Sequence, residues 1–424
     1  MHVLILNQTF WPDVAATAQL MWDLARHLDR RGHRVTAVAS RHFYGTDREI
    51  PAARDRVGNI RIRRVRGTGF GKGSSLGTLG RLSDFASFYA AAAVELTRVD
   101  DPPPDVILAL TSPPMIATLA ALRKPFAAGP GCGRTRFVYH VMDLYPDVVT
   151  AAGRMSPSHP LARAMGACTG YTLREADAVI ALGRDMRDRL LRRYGRHVSA
   201  DRVHVVPPWA DGQALRPLSK ADNALAGSLG LRNTFNVVYS GNLGVAHDVE
   251  TLVAAIDQTR DDAGMQWLFI GGGNRFDAVA VQARERSWPH VRFLPFQDRE
   301  RLNESLNLAD VHLVSQLPAF TGVVVPSKLF GILAVGKPAV MVGPADAEVS
   351  RIIAEHEAGV VVRNGDADGL VHELRRLRDD ATTRNAMGRR GRAAFEQKYD
   401  DGVACARIEA ILCGNARARR AIED

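Results

Sequence analysis

Cysteine is scarce in this sequence, and the few thiols lie far apart. The 424 residues include four cysteines, Cys132, Cys168, Cys405 and Cys413, and no two of them form a CxxC pair. This spacing disfavours both a disulfide framework and a cysteine-based zinc site. We therefore expect buried, unpaired thiols.

Long apolar runs are missing as well. No stretch approaches the roughly 20 consecutive apolar residues that a membrane-spanning helix needs. The first residues, MHVLILNQTF, have no positively charged lead, which favours a first β-strand over a signal peptide. With 46% hydrophobic and 24% charged residues, the composition is that of a soluble globular protein, and we predict a cytoplasmic location.

Acidic residues are under-represented in the first half only. Residues 1–210 contain 29 Lys and Arg against 18 Asp and Glu, whereas residues 211–424 contain 26 against 28. Much of the basic excess lies in RDRVGNIRIRRVRG (54–67) and RDMRDRLLRRYGRH (184–197). Because no nucleic-acid motif accompanies them, these stretches indicate an anionic membrane surface, a phosphorylated partner or merely solvated arginine-rich faces.

An apolar helical pattern lies close to this basic sequence. In RLSDFASFYAAAAVELTR (81–98), five apolar residues have near-helical spacing: Leu82, Phe85, Phe88, Tyr89 and Val94. Such a helix either lies peripherally on the inner face of a membrane or packs inside the first domain. Both alternatives remain open from the sequence.

What the sequence does contain is a regular alternation of short apolar runs and helical patterns. HVLILNQ, TAQLMWDLARHLDRRGH and RVTAVAS form a first βαβ unit, and a fresh series begins with FNVVYSG at residue 235. Uniformly apolar runs are typical of parallel strands covered on both faces. The sequence predicts two doubly wound α/β domains, residues 1–208 and 235–402, with a polar linker at 209–234 and a terminal helix at 403–424.

Three strand-to-helix junctions in the second half have the composition of anion-binding sites. SGNLG (240–244) and GGGNR (271–275) offer glycines that let backbone N–H groups approach a phosphate at a helix N-terminus. In VPSKLFG, Ser327 is the expected helix N-cap and Lys328 lies in the first turn, where a cation opposes the helix dipole. We predict that Lys328 and the Gly241 loop bind phosphate oxygens; the alternative is that Lys328 extends into solvent.

A second group of polar residues lies in YHVMDLYPDVV (139–149). His140, Asp143 and Asp147 are expected at the end of a strand and in the loop after it. A carboxylate there either orients or deprotonates an acceptor hydroxyl, or caps the next segment. In FWPDVAATAQ, Trp11 and Asp13 follow the first strand, where Trp11 is a candidate ligand contact or a packing residue.

These motifs resemble the glycosyltransferases of family 4. GNLG, the GGG strand end, PSKLFGILAVGKPAV and GPADAEVSRII are similar to the donor domain of that family, and LNQTFWPDVAATAQ with DAVIALGRDMRDRLL is similar to its N-terminal domain. The subgroup that builds bacterial surface polysaccharide, including colanic-acid and N-acetylfucosamine transferases, is especially similar. The resemblance implies the α/β class and the GT-B fold, two doubly wound Rossmann-like domains facing a central cleft. It also implies that residues 403–414 return to the N-terminal, acceptor-binding domain as part of a hinge.

The same resemblance implies a retaining glycosyltransferase that needs no cofactor and no catalytic metal. Its partners would be a nucleotide-diphosphate sugar, with a UDP-sugar favoured, and a saccharide or polyprenyl-diphosphate-linked saccharide acceptor. Two other classes stay open, a sugar-nucleotide 2-epimerase of the same architecture and a non-catalytic nucleotide-sugar-binding protein. Strict dependence on an acceptor separates the transferase from both.

The resemblance also suggests site residues. Donor contacts are expected from Gly241, Asn242, Leu243, Gly244, Gly272, Arg275, Phe296, Ser327, Lys328 and Glu348. Catalysis is expected from Asp143, His140 and Lys328, and acceptor contacts from Trp11, Asp13 and Asp147.

This sequence also departs from the family pattern at four positions. Val323 and Gly331 replace two glutamates found in many members, and Asn242 and His247 replace an arginine and a lysine. Lys328 is therefore expected as the main cation at the diphosphate, and Glu348 as the contact to the ribose.

Overall fold

The computed structural model describes residues 1–13, 15–42, 52–68, 77–98, 103–124 and 135–414. The chain divides into two compact units, Met1–Pro207 with the chain from Ala404 onward, and Pro208–Val403. Each unit is built on one mainly parallel sheet with helices, so the predicted α/β class is confirmed. Across the ranges just given, no helix is both long and apolar enough to cross a membrane.

The first unit contains an eight-stranded sheet. Its strands are β1 (His2–Leu6), β2 (Arg34–Ser40), β3 (Arg54–Val57), β4 (Ile60–Val65), β5 (Val106–Ala109), β6 (Arg136–Val141), β7 (Ala178–Ala181) and β8 (Val203–Val205). They lie in the order β3-β4-β2-β1-β5-β6-β7-β8, and β3 is antiparallel to β4 while the other pairs are parallel. The order reverses between β1 and β5, and such a reversal is where doubly wound sheets bind ligands at the carboxyl ends of their strands.

Helices cover the sheet of the first unit. They are α1 (Ala16–Arg30), α2 (Gly77–Thr97), α3 (Ala117–Arg123), α4 (Asp147–Ala151), α5 (Pro160–Glu175) and α6 (Arg184–Tyr194), with a 3-10 turn at Ala200–Arg202. In α1 the residues Leu20, Leu24 and Leu28 recur every four positions and are buried. This spacing puts one apolar stripe of the helix against the core.

The structure distributes the apolar residues of α2 between the core and the surface. Phe88 is buried and Tyr89 donates a hydrogen bond to the Pro114 carbonyl, whereas Leu82 and Val94 are 55% and 56% exposed. The helix therefore packs within the first unit. Of the two alternatives for this helix, the structure favours packing inside the first domain, and membrane association itself stays a prediction.

The second unit contains a six-stranded, fully parallel sheet. Its strands are β9 (Phe235–Asn242), β10 (Met265–Gly272), β11 (Val291–Leu294), β12 (Val311–Ser315), β13 (Ala339–Val342) and β14 (Gly359–Val362). They lie in the order β11-β10-β9-β12-β13-β14, so the switch point lies between β9 and β12. The strand residues of β12 and β13 are all buried, as expected for strands covered on both faces.

The helices of the second unit alternate with these strands. They are α7 (Ala224–Ser228), α8 (Glu250–Gln258), α9 (Asn274–Glu285), α10 (Leu302–Leu306), α11 (Lys328–Ala334), α12 (Glu348–Glu355), α13 (Ala367–Asp379) and α14 (Ala381–Ala394). Two 3-10 turns, Arg299–Arg301 and Pro318–Phe320, and a π-helical turn at Phe395–Tyr399 complete the unit.

The segment 209–234 is not an unstructured linker. It contains α7, and Leu225, Ala226 and Leu231 are buried in a cluster with Leu268 and Leu308 of the second unit. The prediction of a separate linker is wrong because three apolar residues, spaced as in a helix followed by a turn, complete the core beside β9 and β10.

The terminal helix α15 (Asp401–Cys413) contacts the first unit. Glu409 accepts hydrogen bonds from the rings of His27 and His33, both at 2.9 Å, and the Ile411 carbonyl accepts one from Arg136 at 3.3 Å. These contacts fix the helix on the unit that contains α1 and β6. Its role in a hinge stays a prediction.

Three of the four cysteines lie within the described ranges, and none of these three forms a disulfide bond. Cys405 is buried, whereas Cys168 and Cys413 are exposed. The expectation of buried thiols is therefore wrong for two of them. Cys132 lies outside the described residues.

Candidate functional site

Lys328 and Tyr239 meet at the switch point of the second sheet. Lys328 is the first residue of α11, and Tyr239 lies within β9. The Lys328 ammonium is 3.6 Å from the centre of the Tyr239 ring and donates a hydrogen bond to the Tyr239 hydroxyl. That hydroxyl in turn donates to the Asn242 carbonyl at 2.9 Å. The ammonium is thereby placed beside the loop that follows β9.

The charge of Lys328 has no counter-charge among the described residues. Burial lowers the pKa of Lys328 well below its ordinary value, and no carboxylate among the described residues lies within 4.0 Å of its ammonium. Keeping a cation away from water without an anionic partner is unfavourable. An incoming anion would remove this cost, so the position is suited to a negatively charged ligand.

His247 packs against the same tyrosine. Its ring meets the Tyr239 ring edge-on, with centroids 5.8 Å apart, and its Nδ1 lies 2.7 Å from the Ser315 carbonyl. Burial, followed by the charge of Lys328, lowers the pKa of His247 to about 3. His247 is therefore neutral near pH 7, with the Nδ1 proton donated to Ser315. His247 therefore does not supply the positive charge of the lysine that the family pattern has in its place.

The ends of β9 and β10 approach each other closely because glycine occupies the positions where they meet. Gly241, Gly271 and Gly273 have φ angles of 121°, 137° and 121°, in the region that side chains rarely adopt. A Cβ on Gly273 would lie 2.5 Å from the Asn242 Oδ1 and 2.6 Å from the Leu243 carbonyl oxygen. These glycines permit a contact between two loops that any side chain would block.

The loop after β9 presents unused backbone donors. In the part of the chain that the structure describes, the N–H groups of Gly244, Val245 and Ala246 donate to no protein acceptor. All three residues are half-buried. Successive free N–H groups form a concave site for an anion.

A buried network holds this loop in place. Asp248 accepts hydrogen bonds from the backbone N–H of Thr251 at 3.0 Å and from its hydroxyl at 2.7 Å. The Asn364 amide donates to Asp248 at 2.7 Å and to the Gln316 carbonyl at 3.0 Å. The loops after β9, β12 and β14 are thus tied together. Sequence reasoning missed this network, although the D-x-x-T spacing at a helix start is a capping signal.

Two of the predicted donor residues have other partners. The Leu243 side chain is fully buried, and its N–H donates to the Gly272 carbonyl at 2.8 Å, so it is not available to a phosphate. The Arg275 guanidinium pairs with Glu250 at 2.5 Å. We therefore leave both residues out of the proposed donor contacts.

Ser327 does not cap α11. Its φ and ψ of −66° and −18° are already helical, and its side chain makes no capping hydrogen bond. The capping prediction is wrong because the backbone enters the helix before Ser327, which leaves the hydroxyl exposed. A donor contact from this hydroxyl stays a prediction.

The remaining donor candidates lie at the same edge of the sheet. Phe296 is 64% exposed, and its ring would lie 3.1 Å from a Cβ built on Gly272. Glu348 is the first residue of α12 and is 3% exposed. The roles of these residues at a base and a ribose stay predictions.

The two positions without the family glutamates have little room for a carboxylate exposed to solvent. Val323 is fully buried, and a Cβ on Gly331 would lie 3.3 Å from Leu306 Cδ1. A carboxylate at Gly331 would enter the packing of α11 against α10. The packing around these two positions is therefore consistent with the absence of the two glutamates.

In the first unit, Asp143 lies just after β6. Its N–H donates to the Thr111 hydroxyl at 3.2 Å, and burial raises the pKa of its carboxyl to about 6. Above that pH the carboxylate is ionised and can accept a hydrogen bond from a hydroxyl group.

His140 occupies a deeper position in the same strand. It is fully buried, and burial lowers its pKa to about 4. Neither ring nitrogen has a hydrogen-bond partner within the described ranges. A substrate cannot reach this ring in the structure, so the catalytic role predicted for His140 is not supported.

The three predicted acceptor residues have different surroundings. Trp11 stacks on Trp22 with ring centroids 5.0 Å apart, and the Asp13 carboxylate accepts a hydrogen bond from the Ala15 N–H at 3.0 Å. Asp13 is 5% exposed. Contacts from Trp11 and Asp13 to an acceptor stay predictions.

Asp147 is occupied by an ion-pair network. It is 1% exposed, and its two carboxylate oxygens bind Arg189 at 2.9 Å and Arg193 at 2.7 Å. Because both oxygens are engaged with the helix α6, we leave Asp147 out of the acceptor site.

The chain matches two protein families in series. Residues 16–209 match the family described as Glycosyl transferase 4-like domain, and residues 227–394 match Glycosyl transferases group 1. These matches together cover most of the chain. The chain therefore belongs to glycosyltransferase family 4, which confirms the family predicted from the motifs.

Individual relatives are more distant. The chain is 28% identical over 221 residues to WcaI of Escherichia coli (strain K12), whose name is that of a colanic acid biosynthesis glycosyl transferase. That match covers 51% of this chain and 53% of WcaI, so the chain spans about half the length of this relative. It is 25% identical over 310 residues to WbjE of Pseudomonas aeruginosa, named as a glycosyltransferase, with 73% of this chain and 74% of WbjE covered.

A solved structure supports the fold. The crystal structure of Anabaena Alr3699/HepE in complex with UDP-glucose matches with a TM-score of 0.70 at 15% identity, covering 98% of this chain and 100% of that chain. This likeness shows the fold, which is GT-B as predicted.

Proposed function

We propose that this protein is a retaining glycosyltransferase that moves a sugar from a nucleotide-diphosphate sugar to a saccharide or a polyprenyl-diphosphate-linked saccharide. A UDP-sugar is the favoured donor because the Alr3699/HepE structure of the same fold was solved with UDP-glucose. The name of the relative WcaI supports a role in surface polysaccharide biosynthesis.

The observation that carries this proposal is the ammonium of Lys328, which has no carboxylate within 4.0 Å among the described residues. It lies at the carboxyl end of the second sheet, and its Cε is 3.7 Å from the position of a Cβ on Gly241. A diphosphate supplies the missing negative charge, and the N–H groups of Gly244, Val245 and Ala246 supply further donors. Phe296 offers an exposed ring for the base, and Glu348 offers a carboxylate for the ribose hydroxyls.

The proposed reaction breaks the bond between the anomeric carbon and the diphosphate oxygen, and the electron pair leaves with the diphosphate. The acceptor oxygen bonds to the anomeric carbon on the same face, and the hydroxyl proton passes to a departing phosphate oxygen. Asp143 orients the acceptor hydroxyl. Lys328 and the loop N–H groups stabilise the charge that develops on the leaving group, which is the contribution that a metal ion makes in other transferases.

Two measurements test this function. First, the unfolding temperature is measured with UDP, GDP, ADP and their sugar conjugates; we expect stabilisation by a uridine diphosphate, since binding to the native state raises stability. Second, consumption of the stabilising sugar nucleotide is followed with and without a lipid-linked saccharide fraction. Consumption that needs the acceptor supports the transferase. Turnover without acceptor would favour the epimerase, and stabilisation by no nucleotide would contradict the proposal.

A further inference from the structure

The edge of the first sheet carries arginines that the proposed reaction does not use. In the antiparallel pair of β3 and β4, Arg54 lies opposite Arg63 and Arg56 lies opposite Arg61. Directly opposed residues have Cβ atoms about 4.5–5.5 Å apart, and like charges in such positions destabilise a sheet. Two successive like-charged pairs therefore impose an electrostatic cost on this hairpin.

Only part of this charge is neutralised by the protein. Arg63 lies 3.5 Å from Glu95 of α2. Across the described part of the chain, no carboxylate lies within 4.0 Å of the guanidinium groups of Arg54, Arg56 and Arg61. The acidic residue of β3, Asp55, is engaged elsewhere, since it pairs with the buried Arg64. The guanidinium groups of Arg54, Arg56 and Arg61 thus have no carboxylate partner within the described residues, although the Asp29 carboxylate accepts a hydrogen bond from the Asn59 N–H at 3.2 Å at the turn of the hairpin.

A surface depression lies beside this hairpin. It has a volume of about 270 Å³ and is lined by Gly32, His33, Arg34, Arg56, Asn59 and Arg61. One water molecule takes about 30 Å³ in the liquid, so the depression has room for a group much larger than water. The residues come from the starts of β2 and β4 and from β3, which puts the depression at the amino end of the strands. The candidate catalytic residues follow the carboxyl ends.

The arginines are held on a rigid framework. In the register of the sheet, Arg61 pairs with Thr36 of β2, and Arg34 begins the same strand two positions earlier. Arg34 and Arg61 therefore project from the same face of two adjacent strands. Arginines that begin from one face of a sheet in this way can direct their guanidinium groups to the oxygens of one phosphate group.

We propose that this hairpin and its depression, the arginine hairpin site, bind a phosphate-bearing polyanion. Phosphate is the chemistry favoured because three arginines, Arg34, Arg56 and Arg61, line the depression, whereas a single carboxylate would neutralise only one of them. Two sources present this chemistry, the headgroups of an anionic lipid surface and a soluble polyphosphate. The site is separate from the proposed donor site and does not depend on it.

The test uses the full chain and two probes. Binding of inorganic tripolyphosphate is measured by calorimetry, and binding to phosphatidylcholine vesicles with and without phosphatidylglycerol is measured by co-sedimentation at increasing salt. The variant is Arg56→Gln/Arg61→Gln. The matched control is Arg163→Gln/Arg192→Gln, which removes the same charge from exposed positions on α5 and α6 of the same unit.

The hairpin variant should bind about tenfold or more weakly to whichever of the two probes the parent protein binds. Each lost charge-assisted hydrogen bond is worth about a factor of ten in affinity. The control should change affinity by less than about twofold, and binding should weaken with salt. Tripolyphosphate binding alone identifies a soluble ligand, and vesicle binding that requires phosphatidylglycerol identifies a lipid surface. Binding of neither probe, or an equal loss in the control, would overturn the proposal.

Two further measurements test whether a loss of binding comes from misfolding of the variant, and whether tripolyphosphate binds at the donor site instead. Without any anion, the hairpin variant should unfold at the same temperature as the parent or higher, because a repulsion has been removed. Tripolyphosphate should then stabilise the parent but not the variant. Repeating the calorimetry with Lys328→Met excludes binding at the donor site; tripolyphosphate binding that disappears in Lys328→Met would contradict the proposal.

Discussion

Lys328 reaches across 89 positions of sequence to Tyr239, its ammonium lying 3.6 Å from the ring centre and donating to the hydroxyl. A cation over an aromatic ring gains about 0.5–2 kcal/mol, depending on how far it is desolvated. This contact holds the ammonium in one place without neutralising it. The side chain is therefore positioned for an anion before the anion arrives, which reduces the entropy that binding must overcome.

Replacing Lys328 should weaken binding of the donor nucleotide. Lys328→Met keeps most of the length of the side chain and removes its charge, and we expect a loss of about 1.5–3 kcal/mol in UDP affinity, the usual value of a hydrogen bond to a charged group. Calorimetry with UDP measures it. The exposed Lys398, changed to Met, provides the control for net charge. Equal affinity in the parent and Lys328→Met would exclude a diphosphate contact.

Donor binding should also take up a proton. Burial lowers the pKa of Lys328 in the free protein, and a bound diphosphate should raise it again because an opposite charge favours the charged form. Where the pH lies between these two values, binding is coupled to protonation and affinity falls as the pH rises. Calorimetry in buffers of different ionisation enthalpy counts the protons. Lys328→Met should abolish the uptake; an uptake that persists in this variant would assign it to another group.

The glycines at the end of β10 should be sensitive to any side chain. Gly273→Ala should destabilise the protein by more than the roughly 1–2 kcal/mol that a left-handed residue costs, because its Cβ would also collide with Asn242 and Leu243. Gly264→Ala is the matched control, since Gly264 has a φ of 79° but no atom within 4 Å of its Cβ position. Urea unfolding gives both values. Similar losses for the two variants would show that the loop contact is unimportant.

The sequence was sufficient to predict the strands and the family but not the partners of the site residues. Apolar runs such as AVMV and the glycine ends of β9 and β10 are local signals, and they indicated the α/β fold and the side of the second sheet that carries Lys328. Tyr239 gave no such signal, because an aromatic residue inside an apolar run is indistinguishable from a core residue. Its contact with Lys328 is created only when β9 and α11 fold together.

For Asp147 the sequence predicted a role in the site that the structure does not support. In the sequence it follows a strand in the same way as Asp143, and both were predicted near the acceptor. The structure separates them, since α6 brings Arg189 and Arg193 to Asp147. Two arginines four residues apart lie on one helix face, so the sequence contained a signal for a carboxylate partner. It did not indicate which carboxylate.

The two aspartates should therefore respond differently to removal of their charge. Asp143→Asn should reduce the acceptor-dependent rate, and in the parent that rate should fall as the pH drops below about 6, where burial places the pKa of Asp143. Asp147→Asn should leave the substrate KM unchanged but lower the free energy of unfolding by about 1–3 kcal/mol, because it leaves buried donors poorly paired. Initial rates across pH, with urea unfolding of both variants, measure this. A rate loss confined to Asp147→Asn would reverse the assignment.

The contact of α15 with the first unit should weaken in acid. Although burial acts to raise it, hydrogen bonds from His33 and His27 hold the pKa of Glu409 below its ordinary value of 4.5. A carboxyl whose folded pKa is lowered contributes stability that is complete above the unfolded pKa, about 4.3, and that is lost as the pH falls through the folded value. Glu409→Gln should therefore reduce stability at pH 7 by about 1.5–3 kcal/mol, the range for hydrogen bonds to a charged group, and the gap to the parent should close below about pH 4. Urea unfolding from pH 3 to 7 measures the gap, with the exposed Glu285→Gln as control. A gap that stays constant across this range would show that the Glu409 charge does not hold the helix.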